Sequence, residues 1–126
     1  MGLDQYAFSV EKHHVTAEVD FPTDFPKDDV DELAYWRKHP NLQGWMKRLY
    51  LKKGGESANF NCVPVLLEAS DLDALEHDVM NDLLPETTGF FFGTSNPEDK
   101  EDDLKFIEKA RAAIQSGRAV YYSSWW

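Results

Sequence analysis

The chain ends in the stretch RAVYYSSWW, residues 118–126, and this stretch decides the fold. Four of its last six side chains are aromatic. Tyrosine, tryptophan and valine favour pleated, half-buried strands, so we interpret the stretch as a strand. Alternation along a strand places Tyr122 and Trp126 on one face and Tyr121 and Trp125 on the other. Because both faces carry large rings, we expect a central or doubly covered strand in which at least two of these four rings are buried.

A long helix is expected immediately before this strand, over about 97–116. Acidic side chains crowd its first turns between 98 and 103, where the helix dipole favours negative charge. Gly117 then provides a natural stop between the helix and the strand. The apolar positions recur at helical spacing and form the side that we expect to be buried: Leu104, Ile107, Ala110 and Ile114.

The first half of the chain is interpreted as two extended segments followed by two helices. Pro40 should end the first of these helices, because proline disfavours helical geometry in the residue before it. Asn41 is a reasonable cap for the second helix. In order, the pattern predicts a strand over 3–10 with Tyr6, Phe8 and Val10 on one face, an extended piece over 14–19, a loop around Pro22 and Pro26, a helix from Asp28 or Asp29 to about Lys38, and a helix over 42–53.

In the second half of the chain, the sequence pattern predicts further strands separated by a helix. A strand is expected over 60–68, where Pro64 lacks a backbone donor and therefore indicates an edge position or a bulge. Ser70 resembles a helix cap, with Asp73 completing a capping box. A short strand follows over 88–93. Together these elements predict a single α+β domain over 1–126, with a mixed or antiparallel sheet of about four to five strands packed by three to four helices.

Charge and composition argue against a nucleic-acid-binding protein and against a membrane-spanning one. The chain of 126 residues carries a net charge of -10, which opposes binding to nucleic acid. No apolar run approaches the roughly 20 residues needed to cross a bilayer, so we expect no membrane segment. One cysteine cannot form an intrachain disulfide, which favours a reducing cytoplasmic setting. The charges are unevenly spread: residues 35–53 hold six basic and no acidic side chains, and 54–99 hold ten acidic side chains with no lysine or arginine.

The histidines and the cysteine predict no metal site and no cofactor. His13 and His14 are adjacent, so in a strand they point to opposite faces and cannot share an ion unless a turn intervenes. His39 and His77 stand alone in the sequence, and Cys62 has no second cysteine nearby. None of these spacings matches a zinc site.

The serines give no sign of a nucleophile, so we assign no catalytic residue. Ser95, like the other serines, lacks the glycine-flanked context of a nucleophile elbow. Whether the protein is an enzyme stays open on the sequence, with a non-enzyme favoured.

The best candidate for a binding site is the segment 35–41, where aromatic, cationic and amide side chains come together. An anion or an acidic partner could sit at the start of the following helix. Alternatively, Tyr35 and Trp36 belong to the core, and Arg37 only bridges to a nearby acid. A carboxylate is unusual within a strand, so we expect Asp4 to pair with Arg37 or a tyrosine. The candidate ligand- or partner-binding residues are Asp4, Tyr6, Tyr35, Arg37, Lys38, Asn41 and Trp126, the last as a terminal anchor.

The segments MGLDQY, AYWRKHPNLQGW, NCVPV, TTGFFFG and YYSSWW resemble a family of small phage- and prophage-encoded proteins. The resemblance spans essentially the whole chain. Some members carry an automatic phosphoglycerate-kinase label, but that enzyme has two domains and is several times longer. The chain also lacks a glycine-rich phosphate loop, since Gly54 and Gly55 follow a helix instead of opening one.

The resemblance implies a phage origin and a compact accessory role in the host cytoplasm. We therefore expect a non-catalytic protein-binding module with a host or phage protein as its partner. The alternative is a small enzyme or sensor that binds an anionic metabolite at the 35–41 corner. Homo-oligomerisation stays open on the sequence.

Overall fold

A computed structural model of the chain describes residues 2–88 and 93–126. Within these residues the strands form one antiparallel sheet of order β2-β1-β4-β3. The predicted α+β class is therefore confirmed, with four strands and three α-helices among the described residues. In chain order the elements are β1 (Asp4–Glu11), a 3-10 turn (Lys12–His14), β2 (Asp31–Arg37), α1 (Pro40–Lys52), β3 (Val65–Leu67), α2 (Ala69–Met80), α3 (Asp99–Gln115) and β4 (Arg118–Trp125).

The C-terminal strand β4 lies in the centre of the sheet, between β1 and β3. It pairs with β1 along its whole length, from Arg118 opposite Glu11 to Trp125 opposite Asp4. Tyr122 is fully buried on the side of the helices, and Tyr121 is buried on the other side. The prediction of a central strand with at least two buried rings is thus confirmed.

The main core lies between one face of the sheet and the three helices. Each helix turns an apolar stripe toward the sheet, with the spacing that 3.6 residues per turn requires. None of the helices in the described part of the chain is long and apolar enough to cross a membrane. The buried helix residues of this core are Leu42, Met46 and Tyr50 from α1, Leu72, Leu75 and Val79 from α2, and Phe106, Ile107 and Ala110 from α3.

The other face of the sheet is covered at one end only. A second, smaller cluster forms there, in which Val10, Phe21, Ala119 and Tyr121 are buried. The long connection between β1 and β2 supplies its cover, through Phe21 and its neighbours. No helix within residues 2–88 and 93–126 packs on the rest of this face, which is the position of the candidate site below.

The helix expected over 28–38 is wrong, because Asp31–Arg37 forms strand β2. Its residues pair with β1 from Asp4 opposite Arg37 to Ser9 opposite Asp31. Trp36 is buried toward the helices, whereas Tyr35 and Arg37 on the opposite face are exposed, which is the period of two of a strand. The helix-forming tendency of Glu, Leu and Ala is a weak prior that this pairing overrides.

The other boundaries that shifted lie around β1, α1 and β3. The extended piece expected over 14–19 is replaced by the 3-10 turn and a single bridge from Val19 to Val65. Pro40 begins α1 instead of ending a helix, and His39 occupies the cap position expected for Asn41. The strand predicted over 60–68 shrinks to Val65–Leu67, immediately after Pro64 and at the expected edge of the sheet.

Two further expectations concern α2 and the segment that follows it. The capping box of α2 is made by Glu68 and Asp71, two residues before the predicted pair of Ser70 and Asp73. The short strand expected over 88–93 falls mainly on 89–92, which lie outside the described residues.

Candidate functional site

Asp4 is the centre of a polar cluster on the uncovered face of the sheet. The register places it between Arg37 on β2 and Trp125 on β4. Arg37 donates a hydrogen bond from Nη1 to Oδ1 of Asp4 at 3.1 Å, and the Tyr35 hydroxyl donates to the same oxygen at 2.7 Å. The expected contact of Asp4 with Arg37 or a tyrosine is therefore present, and it involves both residues.

Aromatic rings continue from this cluster along β1. The ring of Tyr6 lies 5.2 Å from that of Tyr35 and 5.8 Å from that of Phe8, measured between centroids. Tyr35 is 48% exposed and Trp125 is 63% exposed. Tyr35 is thus outside the core. We call Asp4, Tyr6, Tyr35, Arg37 and Trp125 the open-face patch.

Burial and neighbouring carboxylates raise the pKa of both tyrosines of the open-face patch, and the field of these carboxylates is part of the cause. Partial burial raises the pKa of Tyr6, and the charges of Asp4 and Glu32 raise it further. The hydrogen bond to Asp4 is the main cause that raises the pKa of Tyr35. Each of these carboxylates disfavours the phenolate, as like charges do. Arg37, whose side chain is 52% exposed, is the cation in the patch and offsets part of this field.

Three of the seven predicted site residues are not part of the open-face patch. Lys38 lies at its edge, where it packs against Gly93 and its Cε lies beside Gly2, as the Arg37 guanidinium does. Asn41 belongs to the first turn of α1. Trp126 is held by its neighbours: its backbone N–H donates to Oδ1 of Asn61 at 3.1 Å, and its indole N–H donates to the Phe60 carbonyl at 3.3 Å. The patch thus unites Asp4, Tyr6, Tyr35 and Arg37 but excludes Lys38, Asn41 and Trp126.

Trp125 joins the open-face patch although it was not among the predicted site residues. Strand alternation places it on the face opposite Tyr122 and Trp126, and none of the helices that the structure describes covers that face. The sequence contained this alternation, but it could not indicate which face the helices would leave open.

A second polar group, the His39 cluster, consists of His39, Ser95 and Asp103. Nε2 of His39 donates to Oδ2 of Asp103 at 2.9 Å, and Nδ1 lies 2.7 Å from Oγ of Ser95. The same Ser95 oxygen accepts the Asn41 backbone N–H at 3.1 Å. His39 and Asp103 are almost completely buried. The cluster therefore joins the start of α1 to α3 and to the segment before it.

The His39 cluster borders an open cleft of about 340 Å³. Three carboxylates line this cleft, those of Asp82, Asp99 and Asp103, against the single lysine Lys100. Burial raises the pKa of Asp103, and the neighbouring His39 offsets part of that effect. This charge balance opposes an anion, and Ser95 already accepts the Asn41 amide, so the geometry does not favour the anion site considered from the sequence.

No local sequence signal could have found the His39 cluster, since its members lie 56 and 64 residues from His39 along the chain. Among residues 2–88 and 93–126, ligand atoms for a metal ion come together only at Glu11, His13 and His14, at the other end of β1 from the open-face patch. The chain matches no protein-family model, no curated protein and no solved structure.

Proposed function

We propose that the chain is a non-catalytic protein-binding module that docks a basic segment of a partner protein on the open-face patch. One observation carries this proposal: Tyr35 on β2 is half exposed and Trp125 on β4 is largely exposed, and strand β1 with Asp4 lies between these two strands. Their positions are fixed by strand register, so little conformational freedom is lost when a partner binds.

The aromatic residues of the open-face patch have the chemistry of an interface centre. Tyrosine, tryptophan and arginine are enriched at the hot spots of protein interfaces. Tyr35, Trp125 and Arg37 represent all three types on one continuous surface. Tyr6 lies between them on β1 and supports the ring of Tyr35 from the side. A partner side chain therefore meets aromatic rings arranged around the ion pair of Asp4 and Arg37.

The charges around the patch favour a partner rich in arginine. A guanidinium group stacks on tyrosine and tryptophan faces and pairs well with carboxylates. Arg37 and Tyr35 both bond Oδ1 of Asp4; neither bond uses Oδ2, and 22% of the Asp4 side chain is exposed. Glu32 contributes a further carboxylate to the same field. The net charge of -10 attracts a basic segment over longer distances.

The resemblance to small phage-encoded proteins supports an accessory role for this module. In that setting the partner is a host or phage protein with an exposed basic segment, met in the host cytoplasm. Nucleic acid is the wrong ligand for such a surface, because its phosphates would be repelled by the same charges that attract a basic peptide.

Nuclear magnetic resonance can test the docking site directly. The ¹⁵N-labelled chain is titrated with a synthetic arginine-rich peptide and, separately, with a glutamate-rich peptide of equal length. We expect the arginine-rich peptide to shift the amide signals of Tyr6, Tyr35 and Arg37 and the indole signal of Trp125, while the acidic peptide shifts none of them. Shifts spread evenly over all acidic surfaces would instead indicate non-specific attraction and would contradict the proposal.

A second candidate function, serine-dependent acyl hydrolysis, is favoured by the geometry of the His39 cluster. Ser95, His39 and Asp103 form a hydrogen-bonded series of nucleophile, base and orienting carboxylate. In such a series the histidine takes the serine proton as Oγ attacks an acyl carbon, then delivers that proton to the leaving group. The bond from the Asn41 amide to Ser95 and the acidic cleft weigh against this activity, so it ranks second.

A fluorophosphonate probe separates hydrolysis from a purely structural role of the His39 cluster. A catalytic Ser95 would be labelled covalently by the probe, and Ser95→Ala would abolish the labelling. A structural cluster would remain unlabelled, while Ser95→Ala would still lower the melting temperature.

A further inference from the structure

The end of β1 brings two adjacent histidines to the same side of the chain. Lys12–His14 forms a 3-10 turn directly after Glu11, and this turn includes His14, which the sequence pattern had placed at the start of an extended segment. Within this turn the rings of His13 and His14 lie 4.2 Å apart, measured between centroids. In a strand they would point to opposite faces. The turn that His13 and His14 need in order to bind one ion together is therefore present.

The distances within this group are short enough for its side chains to share one metal ion. Nδ1 of His13 lies 3.3 Å from Oε2 of Glu11. One ligand atom from each of Glu11, His13 and His14 lies within 4.8 Å of the other two. Zinc binds nitrogen and oxygen at about 2.0–2.2 Å, so tetrahedral ligand atoms are separated by roughly 3.4 Å. The pair of His13 and Glu11 already has this separation, at 3.3 Å.

Asp29 holds the group in place from the connection before β2. Its Oδ2 accepts a hydrogen bond from the Glu11 backbone N–H at 3.0 Å and lies 3.1 Å from Nε2 of His14. Arg118 fixes the same carboxylate through Oδ1 at 3.2 Å. A carboxylate that orients a histidine ring is the usual outer partner of a zinc ligand. The histidine pair is thus backed by an ordered support that an ordinary surface pair lacks.

We propose that Glu11, His13 and His14 form a binding site for Zn²⁺, with Asp29 orienting the His14 ring. Two imidazoles and one carboxylate suit zinc better than magnesium or calcium, which prefer oxygen ligands alone. Glu11 and His13 are exposed, so water completes the coordination. The site lies at the opposite end of β1 from the open-face patch and is independent of the proposed docking function.

Isothermal titration calorimetry of ZnCl₂ into the metal-free full chain at pH 7.5 tests the site. We expect one ion per chain with a dissociation constant in the micromolar range. His13→Ala and His14→Ala should each weaken binding at least tenfold, and Asp29→Asn should weaken it roughly tenfold.

The matched control is His77→Ala. His77 is exposed, and its Nδ1 lies 3.1 Å from Oδ1 of Asp78. It therefore reproduces a histidine–carboxylate pair without a second histidine. Its loss should leave zinc binding unchanged. Absence of zinc binding, or binding that survives both His13→Ala and His14→Ala, would overturn the proposal. Substituted Co²⁺ provides a second readout, since a tetrahedral site gives intense visible absorption and hexa-aquo cobalt does not.

Discussion

Arg37 and Asp4 form an ion pair across the β1–β2 ladder, with Nη1 3.1 Å from Oδ1, on the face of the sheet that the helices leave open. The two residues are 33 positions apart in sequence. Tyr35 donates to the same carboxylate oxygen, so Asp4 joins an exposed cation to an exposed ring. This arrangement ties the orientation of the open-face patch to a single carboxylate.

Arg37→Ala should change binding far more than it changes stability. The Arg37 side chain of this ion pair is half exposed, and ion pairs open to solvent contribute about 0–1 kcal/mol. Urea denaturation should therefore give a free energy of unfolding within about 1 kcal/mol of the unsubstituted chain. Binding of the arginine-rich peptide should nevertheless change, because Asp4 loses the group that orients it. A loss of several kcal/mol would show instead that the pair holds the fold.

Tyr122→Phe should destabilise the protein by about 1–3 kcal/mol, because it leaves buried polar groups without a partner. The Tyr122 hydroxyl donates to Oε1 of Gln43 at 2.5 Å and accepts from Nε2 of Gln5 at 2.9 Å. Tyr35→Phe is the matched control, since it removes a hydroxyl that bonds an exposed carboxylate. Thermal unfolding measures the loss of stability in both variants. Equal shifts in melting temperature would rule out the buried hydrogen bonds of Tyr122 as the cause of the loss.

Removal of the central strand tests the fold more severely. A chain that lacks residues 121–126 loses most of β4, which pairs with both β1 and β3. We expect it to unfold or aggregate, as judged by circular dichroism and size-exclusion chromatography. A folded truncated chain with an unchanged melting temperature would mean that the aromatic terminus is only a docking peptide.

The protein should lose stability at high pH through its buried tyrosines. Burial raises the pKa of Tyr121 to about 12 from an ordinary value of 10.0. The folded state therefore holds this proton more tightly than the unfolded state. The contribution of Tyr121 to the free energy of unfolding is fully present below pH 10, and it is lost as the pH rises from about 10 to 12. Urea midpoints measured across this range should fall, and Tyr121→Phe should make the fall shallower. An unchanged slope in that variant would assign the effect to other groups.

His39 and Asp103 form a buried pair, so we expect the effects of substituting them on the free energy of unfolding to be non-additive. His39→Leu leaves the Asp103 carboxylate buried without its partner, and breaking such a pair costs about 3–5 kcal/mol. Replacing both residues with leucine should recover much of that loss, since apolar residues often replace buried ion pairs at little cost. A double-mutant cycle from urea denaturation measures the coupling; additive losses would exclude a direct interaction.

Local pattern was sufficient to predict those elements in which periodicity and burial agree. Strand β4 and helix α3 are such cases, and Gly117 separates them as expected. The segment Asp31–Arg37 was predicted as a helix because its composition favours one, and only pairing with β1 makes it a strand. That pairing depends on residues more than 20 positions away, which single-sequence pattern does not reveal.

The candidate sites show the same limit. The contact of Asp4 with Arg37 followed from an unusual carboxylate in a strand, and it could be predicted. The His39 cluster could not be predicted, because it depends on distant segments. The group of Glu11, His13 and His14 could not be predicted either, because it requires both histidines to lie within the turn, and the pattern placed His14 in an extended segment.

The most direct test of the docking proposal is the affinity of the arginine-rich peptide for the double variant Tyr35→Ala, Trp125→Ala. Leu51→Ala, Leu83→Ala is the matched control, since it removes two comparably exposed apolar side chains that lie outside the open-face patch. Calorimetry at 150 mM salt should show at least tenfold weaker binding for the patch variant, a loss of about 1.4 kcal/mol, and unchanged binding for the control. Equal affinity in both variants would contradict the account.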